Sequence, residues 1–326
     1  MIEHVPDPVL RAAIRANCAR RLAGERLRGA EGQRAFLREL RAAPIALEVE
    51  KPNEQHYEVP VDLFRLVLGP RLKYSCCLWA AGVDSIDEAE DAMLELTCAR
   101  AQVEDGMEIL DLGCGWGSLT FWLAERYPSS RVLAVSNSRL QREWIEGEAR
   151  RRGLGGIEVR TADANHFDPG RRFDRVVSVE MMEHARNYPE LLGRVRSWLE
   201  PDGRLFVHVF SHRRFAYPFK AGWMAKHFFT AGTMPSHDLL PSLADVLELE
   251  DRWAVDGRHY ARTSEAWLDR LDDRRGEVLS VLAAPHGRNA PRRLQMWRVF
   301  FMACAELWGF RGGREWGVSH YRFAPA

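Results

Sequence analysis

Apolar residues recur along this chain with two alternating periods. Between residues 107 and 210, short continuous apolar runs alternate with stretches whose apolar side chains fall three and four apart. The runs predict buried parallel strands, and the stretches between them predict helices. Strands are placed at 109–112, 131–136, 157–161, 173–179 and 203–210. Helices are placed at 118–127, 138–152 and 187–199, with Pro201-Asp202-Gly203 turning the chain into the last of those strands. Upstream, helices are expected at 61–68 and at 87–103, the latter opening on Asp87, Glu88 and Glu90, acids that favour a helix start. Residues 1–50 mix Arg with apolar positions at helical spacing (Leu10, Ile14, Cys18, Leu22, then Phe36, Leu37, Leu40) and read as two or three amphipathic helices with a basic face. The rhythm breaks over 211–243, where Phe215, Tyr217, Phe219, Trp223, Phe228 and Phe229 precede Gly232 and Pro235. An aromatic insertion of this kind covers a ligand site. A strand at 246–255, helices near 263–283 and 291–309, and a final strand at 315–323, antiparallel at the sheet edge, complete the pattern. The division that follows is a helical segment 1–53 and one α/β domain 54–326, with a cap at about 211–243.

Composition narrows this little. The 326 residues are 46% hydrophobic and 28% charged, and 46 Lys and Arg balance 46 Asp and Glu, so no global charge points to nucleic acid. Six cysteines show no paired C-x-x-C spacing for zinc or a disulfide framework, and neither a membrane span nor a signal-peptide core is apparent. A cytoplasmic protein is the expectation; the oligomeric state, homodimer included, stays open.

The chemistry begins at Met107–Gly117, MEILDLGCGWG. A strand ending in Asp111 runs into Gly113, Gly115 and Gly117 and then into a helix, the arrangement that seats a nucleotide-type cofactor. A dinucleotide fingerprint needs G-x-G-x-x-G and an acid after the next strand. Here the third glycine comes one residue early, and the next strand ends in Ser136, Asn137 and Ser138. The pattern resembles the first motif of class I S-adenosylmethionine (SAM) methyltransferases. It implies a Rossmann-like, mostly parallel sheet and SAM as cofactor. Asp163, past the third strand, is placed for the adenine amino group, and Ser136 and Gln141 for the ribose. Val177–His184, VSVEMMEH, ends the fourth strand, so Glu180, Glu183 and His184 face the ligand side and suit a cationic or proton-losing group. Taken singly, Cys76, His208 and Tyr260 read as a core thiol, a strand histidine and a helix-start aromatic.

An ordered set of motifs carries a more specific resemblance: H-Y-E at 56–58, K-Y-S-C at 73–76, D-L-G-C-G-W-G-S at 111–118, E-M-M-E-H-x-x-N-Y at 180–188, L-F-V-H at 205–208, G-T-M-P-S at 232–236 and H-Y-A-R-T-S-E-x-W at 259–267. The chain resembles the cyclopropane-fatty-acyl-phospholipid synthase superfamily, and within it the coclaurine N-methyltransferase-like branch. The resemblance implies that Tyr74 and Ser75 lie against SAM together with Asp111, Gly113, Gly115, Gly117, Ser136, Asn137, Gln141, Asp163, Ala164 and Glu180. In the fatty-acid enzymes the positions of Cys76, Glu183, His208 and Tyr260 help hold a bicarbonate ion that takes a proton after an alkene has attacked the SAM methyl. In the N-methyltransferase branch the pair matching Glu183 and His184, with Glu180 nearby, binds and deprotonates an amine. The chain departs from the fatty-acid members at Glu58-Val59-Pro60 and Phe210, and residues 1–50 have no clear counterpart to their lipid-associated region. The function implied is N-methylation of a small aromatic amine, with cyclopropanation of an acyl chain as the alternative and a non-catalytic SAM-binding protein as a second.

Overall fold

The computed structural model describes residues 5–46, 60–219, 222–229 and 232–326. Five strands follow the predicted α/β rhythm: β1 (Glu108–Leu112), β2 (Arg131–Ser136), β3 (Ile157–Thr161), β4 (Phe173–Val179) and β5 (Leu199–His212). Two short strands in the insertion, β6 (Tyr217–Pro218) and β7 (Thr233–Met234), pair only with each other. The last two are β8 (Leu247–Val255) and β9 (Trp316–Pro325). Seven of the nine form one sheet in the order β3-β2-β1-β4-β5-β9-β8. Its first five strands are parallel, and β9 runs antiparallel to both β5 and β8.

The sequence pattern places the last strand at the edge, and the structure corrects that. The edge belongs to β8, and β9 lies inside. Burial explains the order: β9 is buried along most of its length, whereas β8 exposes Glu248, Glu250, Asp251 and Arg252, the charged dress of an edge strand.

The helices are α1 (Asp7–Ala42), α2 (Val61–Val67), α3 (Ile86–Ala101), α4 (Ser118–Arg126), α5 (Arg139–Arg152), α6 (Tyr188–Trp198), α7 (Trp223–His227), α8 (Gly257–Asp273), α9 (Arg275–His286) and α10 (Ala290–Trp308). The N-terminal run α1 is two helices joined across a kink at Gly29 (φ +56°, ψ −160°), in line with the two or three helices expected there. Its first half buries Cys18 and Leu22 in the core shared with α2, α8 and α10. Its second half buries Phe36 and Leu40 beneath α6 on the other side of the sheet. Two entries into helices matter for the site. A reciprocal cap, in which Ser85 Oγ accepts from the Glu88 N–H and Glu88 Oε2 from the Ser85 N–H, starts α3. The Asp256 carboxylate accepts the Arg258 N–H at 2.8 Å and starts α8 six residues before the predicted 263, which brings Tyr260 into its first turn.

Candidate active site

The chain reverses its winding between β1 and β4, and the principal cavity opens beyond the C-terminal ends of β1, β2 and β4, where an open α/β sheet binds its ligand. Of the sequence-predicted cofactor residues, Tyr74, Ser75, Asp111, Gly113, Gly115, Ser136, Asn137, Gln141, Asp163, Ala164 and Glu180 line it. Gly117 does not: it stands behind the turn as the residue before α4, against Phe121 and Ile145. Gly113 shows why glycine is needed, since at φ +93° a Cβ there would come within 2.6 Å of Met181 Cβ.

The wall fits SAM on its own chemistry. Ser136 Oγ donates to Gln141 Oε1 at 2.5 Å, and Gln141 Nε2 is buried with no hydrogen-bond partner among the described residues. The Ser118 hydroxyl on the same wall is likewise unpartnered. Buried donors left open in a cavity wall await a polar ligand. Asp163 accepts the Asn165 N–H at 2.8 Å. Asp111 accepts the Thr120 hydroxyl at 2.7 Å, and burial pushes its carboxyl up to about 7.

Several lining residues escaped the sequence reading. Ile45 and Ala46 follow α1 and close one side, held by a bridge from Ala46 to Ala185 and by Asn165, whose side chain bonds both polar groups of the Ala46 backbone. The masking of this contribution is physical, because a loop that reaches the cavity only by folding back has no periodic signal of its own. Lys73 also lines the wall; it is buried, and its Nζ donates to Ser75 Oγ at 2.5 Å and to the Cys76 carbonyl at 2.9 Å. The K-Y-S-C motif was its signal. The H-Y-E motif at 56–58 and the boundary drawn at 53/54 lie outside the described residues.

The candidate catalytic residues converge on one carboxylate. Glu180 sits just past β4 with φ +47°, a left-handed conformation rare for glutamate. Its Oε1 accepts the Cys76 backbone N–H at 3.1 Å and faces His208 Nε2 at 3.3 Å, and its Oε2 accepts the Tyr260 hydroxyl at 2.5 Å. Burial raises its pKa; the Tyr260 hydroxyl, the Lys73 charge and the Cys76 N–H pull it back toward the ionised form. His184 shares the cavity wall, its ring stacked on Phe229 with centroids 6.3 Å apart, and burial lowers it to about 4, so its imidazole is neutral. Glu183 is buried and not among the cavity-lining residues, and its Oε2 has no partner among the described ones. Burial and the neighbouring Glu180 charge hold it well above the usual carboxyl range, so it keeps its proton. The Cys76 thiol, turned to its neighbour's carbonyl, is pushed up by burial and is no thiolate. Of the insertion's aromatics, Phe229 stacks on His184, Phe219 and Phe229 pack on Phe210, and Phe228 stacks on Phe300 of α10 at 4.4 Å.

Residues 48–314 match the family model described as mycolic acid cyclopropane synthetase. The chain belongs to that family. Among curated relatives it is 39% identical over 332 residues to an (S)-coclaurine N-methyltransferase of Thalictrum flavum subsp. glaucum, covering 98% of this chain and 92% of that one. It is 29% identical over 268 residues to the cyclopropane-fatty-acyl-phospholipid synthase of Escherichia coli K12, covering 82% of this chain and 66% of the relative. Among solved structures, coclaurine N-methyltransferase bound to N-methylheliamine and S-adenosylhomocysteine superposes with a TM-score of 0.94 at 36% identity, over 99% of this chain and 96% of that one. This member of the family is a SAM-dependent methyltransferase with the class I fold, its last strand antiparallel. Among the described residues no helix is long and apolar enough to cross a membrane.

Proposed function

We propose that this methyltransferase methylates the nitrogen of a small aromatic secondary or tertiary amine, as the coclaurine N-methyltransferase relatives are named for doing. One observation carries the choice of amine over alkene. Three of the groups whose counterparts help hold bicarbonate in the fatty-acid enzymes, at Cys76, His208 and Tyr260, here surround the chain's own Glu180 carboxylate. A fixed buried negative charge attracts an ammonium, and a site so filled leaves no vacancy for a bicarbonate anion.

When bound, SAM supplies an electrophilic methyl on its sulfonium; Gly113, Gly115, Ser136, Gln141, Asp163 and Tyr74 would hold it. The protein's own work is alignment and proton handling. Glu180 draws the cationic amine to the cavity. His184, kept neutral by burial, receives the proton that the nitrogen must lose; burial and the neighbouring Glu180 charge hold Glu183 well above the usual carboxyl range, while the Tyr260 hydroxyl, Lys73 and the Cys76 N–H favour the ionised form of Glu180. The insertion at about 211–243 serves as the cap: its aromatics exclude water and offer cation–π contact to the methylated product. In this reading the N-terminal helical segment contributes to the cofactor wall through Ile45 and Ala46, which line the cavity. A cytosolic setting suits six cysteines that are all buried and unpaired.

The test is a paired assay with methyl-labelled SAM. One arm offers a panel of aromatic amines and the other vesicles of monounsaturated phospholipid, each with and without bicarbonate. Label on an amine, indifferent to bicarbonate, is the expected result. Bicarbonate-dependent label in acyl chains would overturn it.

A further inference from the structure

Two groups beyond the site, one buried and one half-buried, extend it in a line. His320 on β9 lies opposite His208 on β5 in the sheet register, with its Nε2 2.9 Å from His208 Nδ1. Beyond it, Arg100 in the last turn of α3 places Nη1 2.7 Å from His320 Nδ1. At the other end His208 Nε2 meets Glu180 Oε1 at 3.3 Å. Four side chains from α3, β9, β5 and the turn after β4 thus form one chain of hydrogen bonds.

The chemistry of arginine orders it. A guanidinium only donates and does not lose its proton in proteins. His320 Nδ1 therefore accepts, which leaves its ring proton on Nε2 to be donated to His208 Nδ1. The ring proton of His208 is then on Nε2 and is donated to Glu180. Both imidazoles must be neutral for this, and both are fully buried, which holds them well below the ordinary histidine range. Arg100 is half-buried over the Trp253 ring at 4.7 Å, and no carboxylate among the described residues pairs with it. Its charge is committed to the imidazole.

We propose that Arg100 is a positioning residue for methyl transfer, fixing through His320 the tautomer in which His208 donates its Nε2 proton to Glu180. The kinetic consequence rests on the amine reading; the tautomers do not. Without the guanidinium both rings are free to reverse, and the reversed His208 turns a lone pair on the Glu180 carboxylate. Glu180 then loses one of three donors and takes up a proton at higher pH. The other groups that act on Glu180 are Tyr260 from α8, Lys73, Cys76 and Cys77 from the loop after α2, Glu183 and His184 from the turn after β4, and Cys304 from α10. All of them remain in an Arg100 variant, so a shift relative to the wild type isolates the relay.

The test is long-range proton–nitrogen NMR on the full chain with ¹⁵N-labelled histidine at pH 7, the signals assigned with H208N and H320N. Beside it runs the pH profile of kcat/KM on whichever amine the labelled-SAM assay finds. The wild type is expected to show both rings protonated on Nε2. Arg100→Met should mix or reverse them and move the acid limb up by about half a pH unit or more; Arg100→Lys, still a donor-only cation, should restore both. A wild-type ring protonated on Nδ1 at either position would overturn the proposal, and so would Arg100→Met with unchanged tautomers and limb. Should Arg100→Met fail to fold, the wild type and Arg100→Lys still decide. Both rings protonated on Nε2 with no amine methylated would sink the amine reading and leave the relay standing.

Discussion

Glu180 is held at φ +47°, a conformation that costs a non-glycine residue about 1–3 kcal/mol. The return on that strain is a carboxylate aimed at three donors. Glu180→Gln keeps the shape, and its amide oxygen can still accept from Cys76 and His208 while its NH₂ donates to Tyr260, so the fold survives without the charge. Turnover should fall about 10²-fold or more while S-adenosylhomocysteine affinity stays within about threefold, read by steady-state kinetics and titration calorimetry. Equal losses in both would remove Glu180 from the chemistry. Glu183 separates differently, because it is the protonated partner. Glu183→Ala should lower turnover about tenfold or more with little change in cofactor affinity, whereas Glu183→Gln, a copy of the neutral acid, should retain most of it. Identical losses in the two variants would argue against a neutral Glu183. The spacing E-M-M-E-H was legible as a ligand-facing cluster at a strand end. Which acid lines the cavity was not, because that depends on the backbone turn at Glu180 and the one-turn helix Met182–His184 behind it.

At the scale of elements, the site hangs on two clamps. Gly257 begins α8 where a Cβ would stand 2.1 Å from the Trp316 carbonyl oxygen and 2.4 Å from that of Trp308. The start of α8 is therefore wedged between β9 and α10, and with it the Tyr260 hydroxyl. Gly257→Ala must push these apart, a strain of about 1–3 kcal/mol or more that calorimetry should record as a fall in Tm of at least about 4 °C, with reduced turnover. The second clamp is Glu90 on α3, whose buried carboxylate accepts the backbone N–H groups of Gly69, Arg71 and Lys73 at 3.0, 2.8 and 3.1 Å. It shapes the loop that leads into Tyr74, Ser75 and Cys76. Glu90→Ala leaves three buried donors unpaired at about 1–3 kcal/mol each, whereas Glu90→Gln keeps the oxygen shared by Gly69 and Lys73. The expected order of Tm is wild type, then Gln, then Ala; a Gln variant as unstable as Ala would sink the clamp. The periodic apolar runs announced most of these elements, but neither clamp, since both are contacts between segments far apart in the chain.

Over the whole molecule, buried titratable groups of opposite sign set the pH response. Burial lowers His184 and His212 to about 4 and holds His208 and His320 well below their usual range. Below pH about 6.5 the unfolded chain binds these protons and the folded one does not, so stability falls with falling pH by up to about 1.4 kcal/mol per unit for each histidine. Asp111 and Glu90, raised to about 7, act oppositely. Between pH about 4 and 7 the folded state holds their protons and the unfolded state does not, so their contribution is lost as pH rises. The four histidines outnumber these two acids, so calorimetry across pH 3.5–7 should find Tm falling as pH falls from about 6.5; a Tm still level at pH 3.5 would contradict the burial of neutral imidazoles. The α/β class, the glycine turn that seats the cofactor, the SAM assignment and the family are legible in the chain alone, because these rest on period and on contiguous motifs. That β9 lies inside β8, that Ile45 and Ala46 reach the cofactor wall, and that Cys76, His208 and Tyr260 close on Glu180 emerge only from the folded chain. Those are pairings between residues tens to hundreds of positions apart, chosen by which faces bury together, and local pattern carries no record of them.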